Sequence, residues 1–107
     1  MEKTCVHEET LLWYDHPQVI TVKFEDGSRG VGVAVNHDEY SLPMFLCKVS
    51  ERDCNSYIKG FLDLKTLLLN PIDSKHYICE FAKEMELTPV EVNEDYLPLD
   101  GCYNEVE

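Results

Sequence analysis

The chain predicts an α+β fold: a largely antiparallel sheet of about five strands, with two short helices between strands 3 and 4 packed on one face. Three observations predict it. Asp26-Gly27 separates two β-rich apolar runs, which is the strongest short-range hairpin signal. Two later segments begin at helix-capping residues and stop at Gly or Asn-Pro. Hydrophobic residues make up 44% of the 107, with six Tyr, four Phe and one Trp, enough apolar material for a core and a length that fits one domain, 1–107.

The first strand is read at residues 17–24, Pro-Gln-Val-Ile-Thr-Val-Lys-Phe. Ile20, Val22 and Phe24 form its stronger apolar face, and Thr21 and Lys23 point outward. The second, residues 29–35, alternates Val31, Val33 and Val35 with Gly30, Gly32 and Ala34, and three small residues on one face predict close approach by another group. After a polar turn at 36–41, residues 42–49 read as a third strand, with Pro43 at its start, where a missing donor is tolerated. Ser50 and Asp53 have capping-box spacing and open a helix to about Lys59, which Gly60 ends. Asp63 caps a second helix, 64–69, stopped by Asn70-Pro71. Residues 76–83 read as a fourth strand with Tyr77, Cys79 and Phe81 on one face. Residues 87–92 follow as a short edge strand across Glu84-Met85-Glu86, with Pro89 marking the edge. The helices are expected to cover the sheet face bearing Ile20, Val22 and Phe24. Residues 93–107 have little periodicity and read as an irregular acidic segment wrapping the body.

Charge narrows the function classes. Twenty-one acidic side chains against nine basic ones give a net charge of −12, and nine of the acids but only one base lie from Glu80 onward. Direct nucleic-acid binding needs clustered Lys and Arg for phosphates, and an anionic membrane surface needs them too, so neither is expected. The longest apolar stretches fall far short of the roughly 20 residues that span a bilayer. The first residues lack a basic region followed by an apolar run, so no signal peptide is read and the expected location is cytoplasmic. With five scattered cysteines, an odd number, reduced thiols are expected in place of a disulfide framework.

Two stretches carry a resemblance. Glu9-Thr-Leu-Leu-Trp-Tyr-Asp-His-Pro17 is followed, after the hairpin, by Lys48-Val-Ser-Glu-Arg52 and Gly60-Phe-Leu-Asp-Leu-Lys-Thr-Leu-Leu-Leu69. In order and spacing they resemble an uncharacterised family of small microbial domains with an E-T-L-L-x-Y-D-x-P, V-S-x-x-R and G-x-x-D-L pattern. The similarity covers residues 8–71, and Tyr-Leu-Pro-Leu-Asp-Gly near the end extends it. It implies a shared fold and no particular activity. Gly30 and Gly32 depart from the pattern and alter what packs over the sheet.

Among candidate sites, Trp13-Tyr14-Asp15-His16-Pro17 stands out. Trp13 and Tyr14 beside Asp15 have the composition of an interface anchor. The competing reading buries Tyr14, has Asp15 cap a turn and starts a strand at Pro17; catalysis by Asp15 and His16 is a third. No catalytic residue is assigned. Cys5, His7, His76 and Cys79 would make a Cys₂His₂ zinc set, but no Cys-x-x-Cys spacing supports it, and on a strand His76 and Cys79 point to opposite faces. No EF-hand pattern is present, and the glycines of 27–32 lead into a strand where a phosphate loop leads into a helix. No cofactor and no metal are therefore expected. Cys54 is read as lying on the exposed side of its helix, and so as the cysteine whose reactivity is worth testing.

The leading expectation is a non-enzymatic acidic protein-interaction module, an inhibitor occupying the basic nucleic-acid-binding surface of a partner as phage counter-defence proteins do. A basic protein is the expected partner, met through Glu91, Glu94, Asp95 and Asp100 with Trp13 and Tyr14 as apolar anchors. The alternative is a small-molecule-binding or small catalytic domain with a pocket over the Gly30–Ala34 strand. The hairpin and the edge near Pro89 are candidate homodimer contacts.

Overall fold

A computed structural model of the protein describes residues 3–35 and 38–104. Asn36 and His37 of the expected polar turn, and the last three residues of the acidic tail, lie outside the described residues. The fold is mostly β, which corrects the expected five-stranded α+β arrangement. Seven antiparallel strands run β1 (Thr4–Tyr14), β2 (His16–Phe24), β3 (Arg29–Ala34), β4 (Pro43–Lys48), β5 (His76–Glu80), β6 (Glu84–Glu86) and β7 (Thr88–Val90). Two short helices, α1 (Glu51–Ile58) and α2 (Leu64–Leu68), lie between β4 and β5. The sheet order is β6-β1-β2-β3-β4-β5-β7, and the sheet curls into a nearly closed barrel.

Side-chain contacts show the curl. Strands in a flat sheet are about 4.8 Å apart, so β5 and β6 would be separated by more than 20 Å. Instead Cys79 Sγ lies 3.7 Å from Met85 Sδ, and His7 on β1 meets Phe81 just past β5 with ring centroids 5.1 Å apart. Phe24 and Tyr77, on β2 and β5, have ring centroids 5.9 Å apart. The barrel interior thus contains Cys5, Ile20, Val22, Phe24, Met44, Leu46, Tyr77, Cys79 and Met85, all buried.

The face assignment is also corrected. Ile20, Val22 and Phe24 do not meet the helices, because curling the sheet buries them against its own far strands. The opposite face carries Val19, Val31, Val33, Phe45 and Cys47, clustered with Cys54, Tyr57, Leu64, Leu67 and Leu68 from the helices. Gly30 and Gly32 point into the barrel. A Cβ on Gly30 would lie 2.8 Å from the Cys47 carbonyl oxygen and 2.9 Å from Val22 Cγ2; one on Gly32 would lie 3.2 Å from Leu46 Cβ. Their missing side chains let the sheet bend tightly, and the space is filled by protein.

The strands absent from the sequence reading have weak patterns. β1 pairs with β2 through three register irregularities, so Glu8 and Leu11 fall out of the ladder and the alternation of Glu8-Glu9-Thr10-Leu11-Leu12 is broken. β6 has three residues, of which only Met85 is buried, and it pairs with Thr4–Val6 of β1 where a connection was expected. Glu25 pins the start of β1 by accepting from the Thr4 amide at 2.9 Å, the Thr4 hydroxyl at 3.0 Å and the Lys3 amide at 3.2 Å.

Local chemistry elsewhere follows the residue types. Ser50 Oγ accepts from the Asp53 amide at 3.0 Å and starts α1, and Gly60 follows it at φ +84°. Asp63 Oδ1 accepts from the Thr66 amide at 3.2 Å and starts α2. Gly27, at φ +88°, makes the turn between β2 and β3. β7 is an edge strand, paired to β5 with Pro89 opposite Tyr77. Among the described residues no helix is long and apolar enough to cross a membrane.

Candidate interaction surface

The end of β1 and the start of β2 form a two-stranded hairpin, the arm. Trp13 pairs with Pro17 and Tyr14 with His16, leaving Asp15 alone at the tip with φ +62°. Asp is among the few non-glycine residues that adopt this left-handed conformation readily. Gln18 stiffens the tip by donating to the Tyr14 carbonyl at 3.2 Å, and its side chain lies 3.0 Å from His16 Nδ1. On the β2 side Pro17, opposite Trp13, is buried, whereas the β1 side is open. Leu12 is 53% exposed, Trp13 64% and Tyr14 74%, so the reading that buried Tyr14 is corrected, and β2 begins at His16, one residue before Pro17.

Beside the arm runs a groove of about 360 Å³, lined by Leu12, Val33, Ala34 and Tyr57 on one side and by Asp95, Tyr96, Leu97 and Tyr103 on the other. Its tail wall is anchored. The Tyr96 ring lies 5.4 Å from that of Phe45, the Leu64 amide donates to the Cys102 carbonyl at 2.8 Å, and Asn104 Nδ2 donates to the Ile58 carbonyl at 2.7 Å. Asp63 joins helix to tail: while one carboxylate oxygen caps α2, the other accepts from the Gly101 amide at 3.0 Å. These bonds, led by that to Thr66, hold its carboxyl below the usual range.

The expected partner-binding acids are all exposed, but they do not form one cluster. Asp95 shares the groove with Leu12. Glu94 lies next to it in a single 3-10 turn, Glu94–Tyr96. Asp100 pairs with Lys65 at 3.4 Å. Glu91 lines a separate depression beside β7 with Lys75 and Val92. Leu12 and Tyr103 were missed by the sequence reading. The apolar run Leu11-Leu12-Trp13-Tyr14, unbroken where a half-buried strand alternates, was the available signal for Leu12.

The remaining candidates separate in space. His76 stacks on Phe45, with centroids 5.2 Å apart, and its Nε2 is 2.6 Å from the Leu68 carbonyl on the helix side of the sheet, whereas Cys79 faces the barrel interior. Among the described residues, no three His, Cys, Asp or Glu side chains converge in a way that could hold a metal ion. Cys54 is buried in the helix-side cluster, contrary to expectation, with Arg29 Nη1 3.8 Å from its sulfur. Cys102 is the exposed cysteine among the five. The expected pocket over Gly30 and Gly32 is occupied by Val22, Phe24, Ile20 and Leu46; only Val33 and Ala34 of that strand reach the groove. Compared with protein families, with curated proteins and with solved structures, the chain gives no match.

Proposed function

We propose that this chain is a non-enzymatic acidic interaction module that docks a basic protein through the arm and the adjoining tail. One observation carries the reading: Leu12, Trp13 and Tyr14 are consecutive, large and all more than half exposed at the end of β1. Single exposed apolar residues are ordinary, whereas three in succession leave large apolar side chains open on both faces of the strand end, which has the character of an interface anchor. Asp15 follows this run directly, Asp95 shares the groove with Leu12 and has Glu94 beside it in the chain, and a net charge of −12 attracts a cationic partner. An inhibitor covering a nucleic-acid-binding surface is the functional class that fits this charge. Asp100 and Glu91 contribute to the long-range field.

The experiment is capture of partners by the tagged chain at low salt, repeated with Trp13→Ala/Tyr14→Ala and with Glu94→Lys/Asp95→Lys. A basic protein should leave as salt rises. The aromatic pair should weaken its binding by about 30-fold or more, the order expected of hot-spot anchors. Capture unchanged by either double variant overturns the reading.

The groove favours a second reading, a domain that binds a small apolar ligand. Its volume of about 360 Å³ lies at the lower end of ligand-pocket sizes, and its walls are largely aliphatic and aromatic. Such a ligand would raise the unfolding temperature, and charge reversal at Glu94 would leave that gain unaltered.

A further inference from the structure

The barrel's seam places three sulfur-bearing residues from three strands in one buried cluster. Cys5 on β1 pairs with Met85 on β6, so their side chains share the interior face of the sheet. Cys79 on β5 reaches them across the seam, with its Sγ 3.7 Å from Met85 Sδ and 3.9 Å from the Met44 carbonyl oxygen. Exposure is 1% for Cys5, 7% for Cys79 and 1% for Met85. No two of the three are neighbours in sequence, so only closure of the sheet assembles them.

We propose that Cys5, Cys79 and Met85 form a binding site for a soft monovalent metal ion, Cu(I). The spacing of the Cys79 and Met85 sulfurs, with Cys5 directly opposite Met85 on the neighbouring strand, is the first argument. A metal–sulfur bond of about 2.3 Å places ligand sulfurs about 3.8 Å apart in tetrahedral geometry and about 4.0 Å apart in trigonal geometry. The observed 3.7 Å is within a small side-chain adjustment of either. Ligand type is the second. Two thiolates and a thioether suit Cu(I), whereas structural zinc takes four nitrogen or sulfur ligands and does not favour a thioether.

Glu84 and Glu86 flank Met85 on β6 and are exposed, so carboxylates lie on the outer side of the same strand and attract a cation to the seam, while the three side chains themselves are buried. Each cysteine gives its proton to solvent as its metal–sulfur bond forms. Oxidation state does not change on binding. Cu(I) with two thiolates and one neutral thioether leaves a single negative charge.

The test uses the reduced, oxygen-free Cys102→Ser protein, which removes the exposed thiol. It is titrated with Cu(I) against a chromophoric Cu(I) chelator and then examined by X-ray absorption. The expected result is one Cu(I) per chain, an all-sulfur shell at about 2.3 Å and close to two protons released per metal. Cys79→Ser should weaken binding by about 100-fold or more, since even outer-shell losses cost 10–100-fold. Met85→Leu conserves volume and core polarity, so it decides the matter should a cysteine variant not fold; about tenfold weaker binding is expected of it. Less than one metal per chain, nitrogen or oxygen in the shell, or a Met85→Leu protein that binds as tightly as its parent would overturn the assignment.

Discussion

Lys48 on β4 reaches back to the turn between β2 and β3, where its Nζ donates to Asp26 Oδ2 at 2.7 Å and lies 5.3 Å from the centroid of the Phe24 ring. The lysine side chain is 9% exposed and the aspartate 49%, so one partner is sunk in the protein and the other faces water. The pair joins the Asp26-Gly27 turn, the feature most legible in the sequence, to the rim of the barrel. Asp26 also accepts from the Ser28 amide at 2.9 Å, so the same carboxylate shapes the turn and neutralises the buried cation.

These bonds, that to Lys48 first, hold the Asp26 carboxyl far below the ordinary carboxylate range. A carboxyl depressed in the folded state contributes stability that is complete above its unfolded pKa, about 4, and is lost as pH falls toward the folded value. Asp26→Asn should lower the urea midpoint at pH 7, and the gap from wild type should narrow between pH 5 and pH 3. A gap that holds its size across that range would show that the charge of Asp26 contributes nothing.

Gly30 and Gly32 should differ in their tolerance of a methyl group. At Gly30 the new carbon meets a backbone carbonyl that cannot move aside, so Gly30→Ala is expected to cost about 1–3 kcal/mol. Gly32→Ala meets only the side chains of Leu46 and Ile20 at 3.2 and 3.3 Å and should cost less. Chemical denaturation of the two variants gives the order, and the reverse order would contradict the closer packing at Gly30.

The arm tip predicts a separation of stability from binding. Trp13→Ala should change stability by no more than about 0.5 kcal/mol, because an exposed side chain leaves no cavity. Asp15→Val should cost about 1–2 kcal/mol by placing a β-branched residue at φ +62°, whereas Asp15→Gly should fold as well as wild type. Thermal melts distinguish these outcomes, and a Trp13→Ala loss of several kcal/mol would mean the indole is packed.

Thiol accessibility offers a direct check on the corrected cysteine assignment. In the native protein Cys102 should react with an alkylating reagent at the rate of a free thiol, whereas Cys54, buried and with its pKa raised by that burial, should react only after unfolding. Peptide mapping after a short pulse of reagent measures both. Rapid native labelling of Cys54 would place α1 differently.

Alkylation, denaturation and binding all probe the boundary between what was local and what was not. Residues 24–29 were legible because turn, glycine and flanking strands lie within a few positions of one another. Ser50 and Asp63 were legible as caps for the same reason. β1 was not, because its bulges at Glu8 and Leu11 disrupt the period of two, and what holds it are partners on β2 and β6, remote in sequence. The candidate surface was half legible. The composition of residues 13–15 identified the arm, while its exposure, the groove wall formed by Tyr96 and Tyr103, and the separation of Glu91 from Asp95 needed the fold.

The sequence by itself determined the hairpin, the helix caps, the edge character of β7 and the strongly acidic balance, since each depends on backbone preferences or on charge carried by neighbouring residues. Only the tertiary structure decided which apolar face meets the helices and which lines the barrel. Both faces of β2 and β3 are apolar enough to be buried, so alternation alone cannot rank them. The sheet's curl, with Gly30 and Gly32 leaving room for the side chains inside it, turns Ile20, Val22 and Phe24 inward and leaves Val31, Val33 and Phe45 for the helices.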